Sequence, residues 1–235
     1  MIPTSGVAAL RALVFDFDGL ILDTETPEFR AWQEVFAAHG AVLEAVDWTH
    51  VIGSTDSGWD PATEIERQTG ARADRVALRE AWTVRRVELL ALESVRPGVV
   101  ELVKEAARRD LGLAVASSAS RSWVEGHLIR LGLRDAFSVI ATGDEVPHSK
   151  PDPAVYRLAV ARLGVPAAAA LALEDSPNGV RAALAAGLRC IAVPNEVSRQ
   201  LDLSAADAVL GSLAELDLDR LPCGRDRPPS RGCDA

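Results

Sequence analysis

Short apolar runs that end abruptly in polar residues alternate along this chain with longer stretches whose apolar positions recur every three or four residues. The first run, Leu10 to Phe17 (LRALVFDF), ends in acids and Gly19, as a buried parallel strand opening into a loop would. From Thr24 to about Val95 the texture changes. Phe29, Trp32, Val35 and Phe36 recur at helical spacing, with Gly40 as a stop. Trp59 to Gly70 and Asp74 to Leu92 also read as helices. No strand pattern interrupts this stretch, which predicts an all-helical insert of about 70 residues.

Arg96-Pro97-Gly98 ends that texture, and helix and strand signals then alternate. Val99 to Arg109 reads as helix and Leu113 to Ala116 as a strand ending in Ser117-Ser118. Ser120 to Leu131 is helical, stopped by Gly132, and Ser138 to Ala141 is a strand. Pro153 to Leu163 is helical, and Ala170 to Leu173 is a strand ending in Glu174-Asp175. Pro177 to Ala186 is helical with Gly187 behind it, Cys190 to Val193 is a strand, and Ala208 to Leu210 is a last short one. Apolar strands alternating with helices predict an α/β fold in three layers, a parallel sheet covered on both faces. The core then comprises residues 1–23 and 96–235, with the helical insert at 24–95. Residues 1–9 read as a frayed leader, and the Pro-, Gly- and Arg-rich stretch from about 220 as a disordered tail.

Composition narrows the partners. At 48% hydrophobic residues the chain can build a sizeable core. A net charge of −9 with dispersed arginines, the densest pairs being Arg85-Arg86 and Arg108-Arg109, argues against nucleic acid or an anionic membrane as partner. No apolar run approaches a membrane span, and no signal peptide is legible. Cys190, Cys223 and Cys233 form no CxxC pattern, and Cys190 lies in an apolar run as a buried thiol would. A reduced, cytoplasmic setting and a monomer are the default expectations. Of 25 basic residues only Lys104 and Lys150 are lysines, so each lysine asks for a reason. Lys104 falls on a helical pattern and reads as surface.

The chemistry gathers at strand ends. In a doubly wound sheet, ligands bind beyond the carboxyl ends of the strands, and the polar residues there are Asp16, Asp18, Ser117, Ser118, Asp144, Glu174 and Asp175, with Lys150 in a following loop. Any one of these acids could be a helix cap or a turn residue. That reading leaves unexplained why apolar strands repeatedly end in acids, a serine pair and a scarce lysine. Asp16 and Asp18 are two apart and share one side of the strand end. Carboxylates this close raise each other's pKa unless a cation sits between them, and Mg²⁺ prefers such hard oxygen ligands. Gly19 permits a sharp turn after the pair, and Asp23 lengthens the pattern to DxDGxxxD.

The run FDFDGLILDTE (Phe15 to Glu25) resembles the first motif of the haloacid dehalogenase superfamily of phosphatases and phosphomutases. VASS with Ser117, SKPDP with Lys150 and LEDSPNG with Glu174 and Asp175 resemble the second, third and fourth motifs, in order. The insert resembles the small helical cap of the β-phosphoglucomutase-like branch, on a three-layer Rossmann-like core hinged near Thr24 and Arg96-Pro97. The resemblance implies a phosphohydrolase that passes a phosphoryl group through an aspartyl-phosphate, with Mg²⁺ as cofactor. It implies Asp16 as nucleophile and metal ligand, and Asp18 as acid and base that also gives its carbonyl to the metal. It implies Asp175 as a direct ligand, with Glu174 binding directly or through water. Ser117 and Lys150 would hold the phosphoryl oxygens, with Gly19 and Ser118 beside them. Asp144 stays open between supporting Lys150 or the metal shell and a plain turn. Asn178 and Gly179 would shape a loop.

Hydrolase and mutase readings separate on the cap. Mutases of this branch carry a His after the first motif, where Glu28 falls here, and basic residues near Gly53, where VIGSTDSGW has none between Val51 and Trp59. Both departures favour hydrolysis. The absence of lysine from the insert argues against phosphonate cleavage, and the presence of Asp18 against dehalogenation. A non-catalytic phosphoacceptor remains an alternative, although receiver domains lack such an insert. The cap segments Thr24 to Glu28 and Ser54 to Trp59 are expected to face the site and select a small phosphorylated metabolite, a sugar phosphate by preference, with Glu28 a candidate contact. Trp59 could pack inside the cap instead, and Trp32 reads as core. His39, His50, His127 and His148 show no ligand spacing.

Overall fold

The computed structural model describes residues 9–48 and 58–221. Six parallel strands form one sheet in the order β3-β2-β1-β4-β5-β6: β1 (Ala12–Phe15), β2 (Gly112–Ala116), β3 (Val139–Ala141), β4 (Ala170–Glu174), β5 (Arg189–Ala192) and β6 (Ala208–Val209). The order reverses at β1, so the crevice that such a reversal creates opens where β1 ends at Asp16.

Strand pleating sorts the core into two unlike faces. Leu13, Phe15, Leu113, Val115, Leu171, Leu173 and Ile191 point to one side and meet α5 (Val99–Arg108) and α6 (Arg121–Arg130). Ala12, Val14, Ala114, Ala116, Ala170, Ala172, Cys190 and Ala192 point to the other and meet α7 (Ala154–Leu163) and α8 (Pro177–Ala185). The second face is mostly alanine, which lets α7 and α8 approach the sheet closely. By the same parity Asp16 and Glu174 fall on the alanine face of adjacent strands, since β1 and β4 pair in register through Phe15 and Leu173. The sheet thus delivers two acids side by side before any side chain chooses a rotamer.

Between β1 and α5 lie α1 (Glu25–Ala38), α2 (Ala45–Trp48), α3 (Pro61–Thr69) and α4 (Arg75–Leu92). Asp60 and Asp74 cap α3 and α4 by accepting backbone N–H bonds, and Gly70 closes α3 in the left-handed conformation. The short α2 is the element that periodicity misses, because one turn shows no period. The helices share an aromatic cluster: Trp32 stacks on Trp82 at 5.2 Å and Phe36 on Trp59 at 6.2 Å. Trp59 therefore packs within the insert. Other expected strands and helices appear within a few residues of their predicted bounds, and Lys104 is exposed on α5. Expectations for residues 1–8 and the tail from 222, with Cys223 and Cys233, lie outside the described residues.

The chain leaves and re-enters the core side by side. Leu22 and Val95 form an antiparallel bridge, and Arg96 N–H donates to the Ile21 carbonyl at 2.9 Å. The Arg96 guanidinium then bonds the carbonyls of Gly19, Val193 and Pro194, tying the return crossing to the strand tips. Gly98 follows with φ +88°, and a Cβ there would lie 2.1 Å from the Ala214 nitrogen. Gly98→Ala is expected to destabilise the fold by about 1–3 kcal/mol from backbone strain alone. Urea unfolding monitored by circular dichroism would read this as a lower midpoint at unchanged slope.

Candidate active site

Beyond the strand tips lies a cavity of about 460 Å³, lined on the core side by Asp16, Asp18, Ser117, Ser118, Lys150 and Asp175. The insert contributes Glu25, Glu28, Trp48 and Arg86. Of the residues expected from sequence, Asp16, Asp18, Ser117, Ser118, Lys150 and Asp175 are thus brought together at the cavity, with Glu174 behind them on Lys150 and Asp144 elsewhere.

Lys150 is the centre of the arrangement. Its ammonium donates to Asp16 Oδ1 at 2.5 Å and to Glu174 Oε1 at 2.6 Å, with its side chain only 6% exposed. Tyr156, from the first turn of α7, donates to the same Glu174 oxygen at 2.5 Å. Glu174 Oε2 accepts from the backbone N–H of Asp175 and from Ser176. A Cβ on Gly179 would overlap the Glu174 carboxyl, so glycine there makes room for it. Burial alone would lower the Lys150 pKa, but the carboxylates of Asp16 and Glu174 outweigh it and keep the amine charged.

Asp175 is held by Asn195, whose Nδ2 donates to its Oδ2 at 2.8 Å. Carboxylate oxygens of Asp16, Glu174 and Asp175 lie within 4.8 Å of one another, all three residues buried. Burial and the neighbouring acids push Asp16 up to about 8 and raise Asp175 well above the usual carboxylate range. Such a set of unbalanced hard oxygens fits a divalent cation. Asp18 is raised by burial, against hydrogen bonds from Trp123, Thr24 and Ser117. Trp123 Nε1 donates to its Oδ1 at 2.9 Å, and Ser117 Oγ to its Oδ2 at 3.3 Å.

Several expected roles look different in place. The Gly19 N–H donates to the Leu22 carbonyl, and a Cβ on Gly19 would lie 2.1 Å from Asp175 Oδ2. Its service is to let Asp175 approach, and it does not line the cavity. Asp144 is exposed and accepts from the Arg121 N–H, so the support of Lys150 comes from Glu174 and Tyr156 instead. Asp23 caps α1 through Thr26. His148 is exposed. Glu28 does face the cavity, its pKa raised by burial against the pull of Arg86. The segment from Thr49 to Ser57, including the stretch near Gly53, lies outside the described residues. Arg85 and Arg86 are not alike: Arg85 pairs with Glu34 and Glu88 on the surface, whereas Arg86 lies against the cavity. Tyr156, Trp123, Asn195 and Arg86 went unseen in sequence, because their partners are set by the fold. The only advance signal for Arg86 is helical spacing, since it lies four residues after Trp82 on α4.

Residues 10–187 match the family model described as haloacid dehalogenase-like hydrolase. The chain is 44% identical to the protein YhcW of Bacillus subtilis over 211 residues, covering 89% of this chain and 94% of that one. It is 33% identical to hexitol phosphatase B of Escherichia coli over 223 residues, covering 87% and 93%. The crystal structure of a mutant CbbY from Rhodobacter sphaeroides in complex with xylulose 1,5-bisphosphate superposes with a TM-score of 0.67 at 37% identity, covering 88% of this chain and 96% of that one.

The raised pKa of Asp16 has a consequence for stability. Between its ordinary 3.8 and about 8 the folded chain holds a proton that the unfolded chain has released. This contribution is therefore complete below about pH 4 and is lost as pH rises towards 8. In EDTA, Asp16→Asn is expected to be more stable than the parent at pH 8, by on the order of a few kcal/mol, with the difference shrinking at pH 5. Urea titrations of both proteins at the two pH values test it. An equal difference at both would mean that Asp16 titrates normally.

Proposed function

Because the chain belongs to the haloacid dehalogenase-like hydrolases, we propose that it is a Mg²⁺-dependent phosphatase of small sugar phosphates working through a phosphorylated Asp16. The observation that carries this reading is the buried Asp16–Lys150–Glu174 contact beside Asp175, at the floor of a cavity also lined by Asp18.

In this reading Asp16, Asp175 and the Asp18 carbonyl would hold Mg²⁺, which would supply charge neutralisation for the entering phosphate. Glu174, with its oxygens already bonded to Lys150, Tyr156 and backbone N–H groups, would reach the ion through water. One Asp16 oxygen forms a bond to phosphorus as the bond from phosphorus to the alcohol oxygen breaks. The raised Asp18 carboxyl gives its proton to that oxygen. Water then attacks phosphorus, Asp18 takes back a proton, and the Asp16–phosphorus bond breaks to release inorganic phosphate. Lys150 and Ser117 meet the non-bridging oxygens, where charge lies in the transition state. The helical insert acts as a cap over the site, with hinges where the chain crosses at Thr24 and Arg96-Pro97 and with Glu25, Glu28 and Trp48 towards the sugar. A relative named hexitol phosphatase B fits this substrate class. A second reading, a sugar phosphomutase, is favoured by one feature, the Arg86 cation on the insert side of the cavity.

Phosphate release from a panel of sugar phosphates, including β-glucose 1-phosphate, with Mg²⁺ or with EDTA, tests the proposal. Turnover is expected with Mg²⁺ only, and Asp16→Asn should lose at least about 10³-fold in kcat, as removal of a nucleophile does. Formation of glucose 6-phosphate from β-glucose 1-phosphate without net phosphate release would decide for the mutase.

A further inference from the structure

Trp123 belongs to none of the four motifs, yet one ring joins the two halves of the site. Its edge donates from Nε1 to Asp18 Oδ1 at 2.9 Å. Its face meets the Arg86 guanidinium, which lies 5.3 Å from the ring centroid. Arg86 comes from α4 of the insert and also lies 4.9 Å from the centroid of Trp82. Trp82 is itself anchored, donating to the Glu28 carbonyl at 3.3 Å and stacking on Trp32. One cation is thus shared between an indole of the insert and an indole of the core. Arg86 Nε is buried without a hydrogen-bond partner, and the attraction between the guanidinium and the two rings contributes to this junction beside its charge interaction with Glu28. On its other side Trp123 is packed edge-on against His127 at 4.4 Å.

We infer that Trp123 is a positioning residue that couples docking of the helical insert to the orientation of the Asp18 carboxyl. The inference rests on the reading of Asp18 as proton donor. An indole N–H can only donate, so the oxygen it meets must be the unprotonated one, and the proton of the neutral acid belongs on Oδ2. Ser117 Oγ, at 3.3 Å from Oδ2, can turn to accept it. Tilting of the ring away from Arg86 about an axis that does not pass through Nε1 carries the N–H away from Oδ1. When Arg86 is in place the indole N–H fixes Oδ1; when it is withdrawn that restraint is loosened and the carboxyl is left to the bonds from Thr24 and Ser117 alone.

The test uses two substrates of similar size whose leaving groups differ in their need for a proton. p-Nitrophenolate leaves as a stable anion, whereas benzyl phosphate must expel an alkoxide. Trp123→Phe keeps an aromatic ring near Arg86 and removes the N–H together with part of the indole surface. It is expected to lower kcat/KM for benzyl phosphate about tenfold while leaving p-nitrophenyl phosphate within about twofold, part of the usual contribution of a general acid. Arg86→Met, which keeps length and apolar contact, should show the same split more weakly and add none in the Trp123→Phe background. Equal losses on both substrates, or independent splits that multiply in the double variant, would overturn the inference. Failure of the unaltered protein to release phosphate from these esters and from the sugar-phosphate panel alike would sink the phosphatase reading, and this inference with it.

Discussion

Lys150 and the carboxylates around it set the terms for the rest of the structure. Burying Asp16, Glu174 and Asp175 together costs far more than any one hydrogen bond returns, and Lys150 offsets part of it by donating to two of the three. The fold is arranged to make that contact possible. Pairing of β1 with β4 puts Asp16 and Glu174 on the alanine-lined face, where α7 brings Tyr156 onto Glu174. Glycines at 19 and 179 leave space into which a Cβ would intrude on Asp175 and Glu174. Each is a concession to the acids, and none would be needed for packing alone.

The same accounting explains why the site looks incomplete without a cation. The cavity is lined by Asp16, Asp18, Glu25, Glu28 and Asp175 against Lys150 and Arg86 among the described residues. Burial and mutual repulsion hold Asp16, Asp18 and Asp175 towards their protonated forms, and once they ionise a phosphate dianion would meet repulsion, with Lys150 already committed to Asp16 and Glu174. A divalent ion on Asp16 and Asp175 would reverse the local sign, letting Asp16 ionise and phosphate approach. The raised Asp16 and Asp175 and the proposed Mg²⁺ are two descriptions of one imbalance.

Much of this was legible in the chain because it is written locally. Strand ends marked by acids, the DxDG spacing and the scarcity of lysine each need only a few neighbouring residues, and they located Asp16, Asp18, Ser117, Lys150 and Asp175 at one cavity, with Glu174 directly behind it on Lys150. Trp123 and Asp18 are separated by 105 residues. No pattern along α6 distinguishes an indole that aims its N–H at an acid from one that fills a core. Arg86 beside Arg85 reads as a surface pair; which of them turns inward is decided by how α4 packs on α1, which sequence spacing leaves open. Asp144 misled for the converse reason: it stands just after a strand end, but β3 lies at the sheet edge, away from the reversal of strand order.

That geometry also says where selectivity has to reside. The acids at the strand ends and Lys150 in the loop before α7 would treat any phosphomonoester alike, since in the proposed reading they meet only the phosphoryl group and its bridging oxygen. Discrimination must come from the insert side, where Glu25, Glu28, Trp48 and Arg86 face the cavity. Two acids held towards their neutral, hydrogen-bonding forms by burial, with an indole and one guanidinium, suit a hydroxylated, largely uncharged body better than a second dianion. Arg86 is further occupied by Trp82 and Trp123. If the insert closes as proposed, a group that touches the ring bonded to the acid would make closure and acid alignment a single event. An insert moving in this way would exclude water and ready the proton together, which a site assembled from strand ends alone could not do.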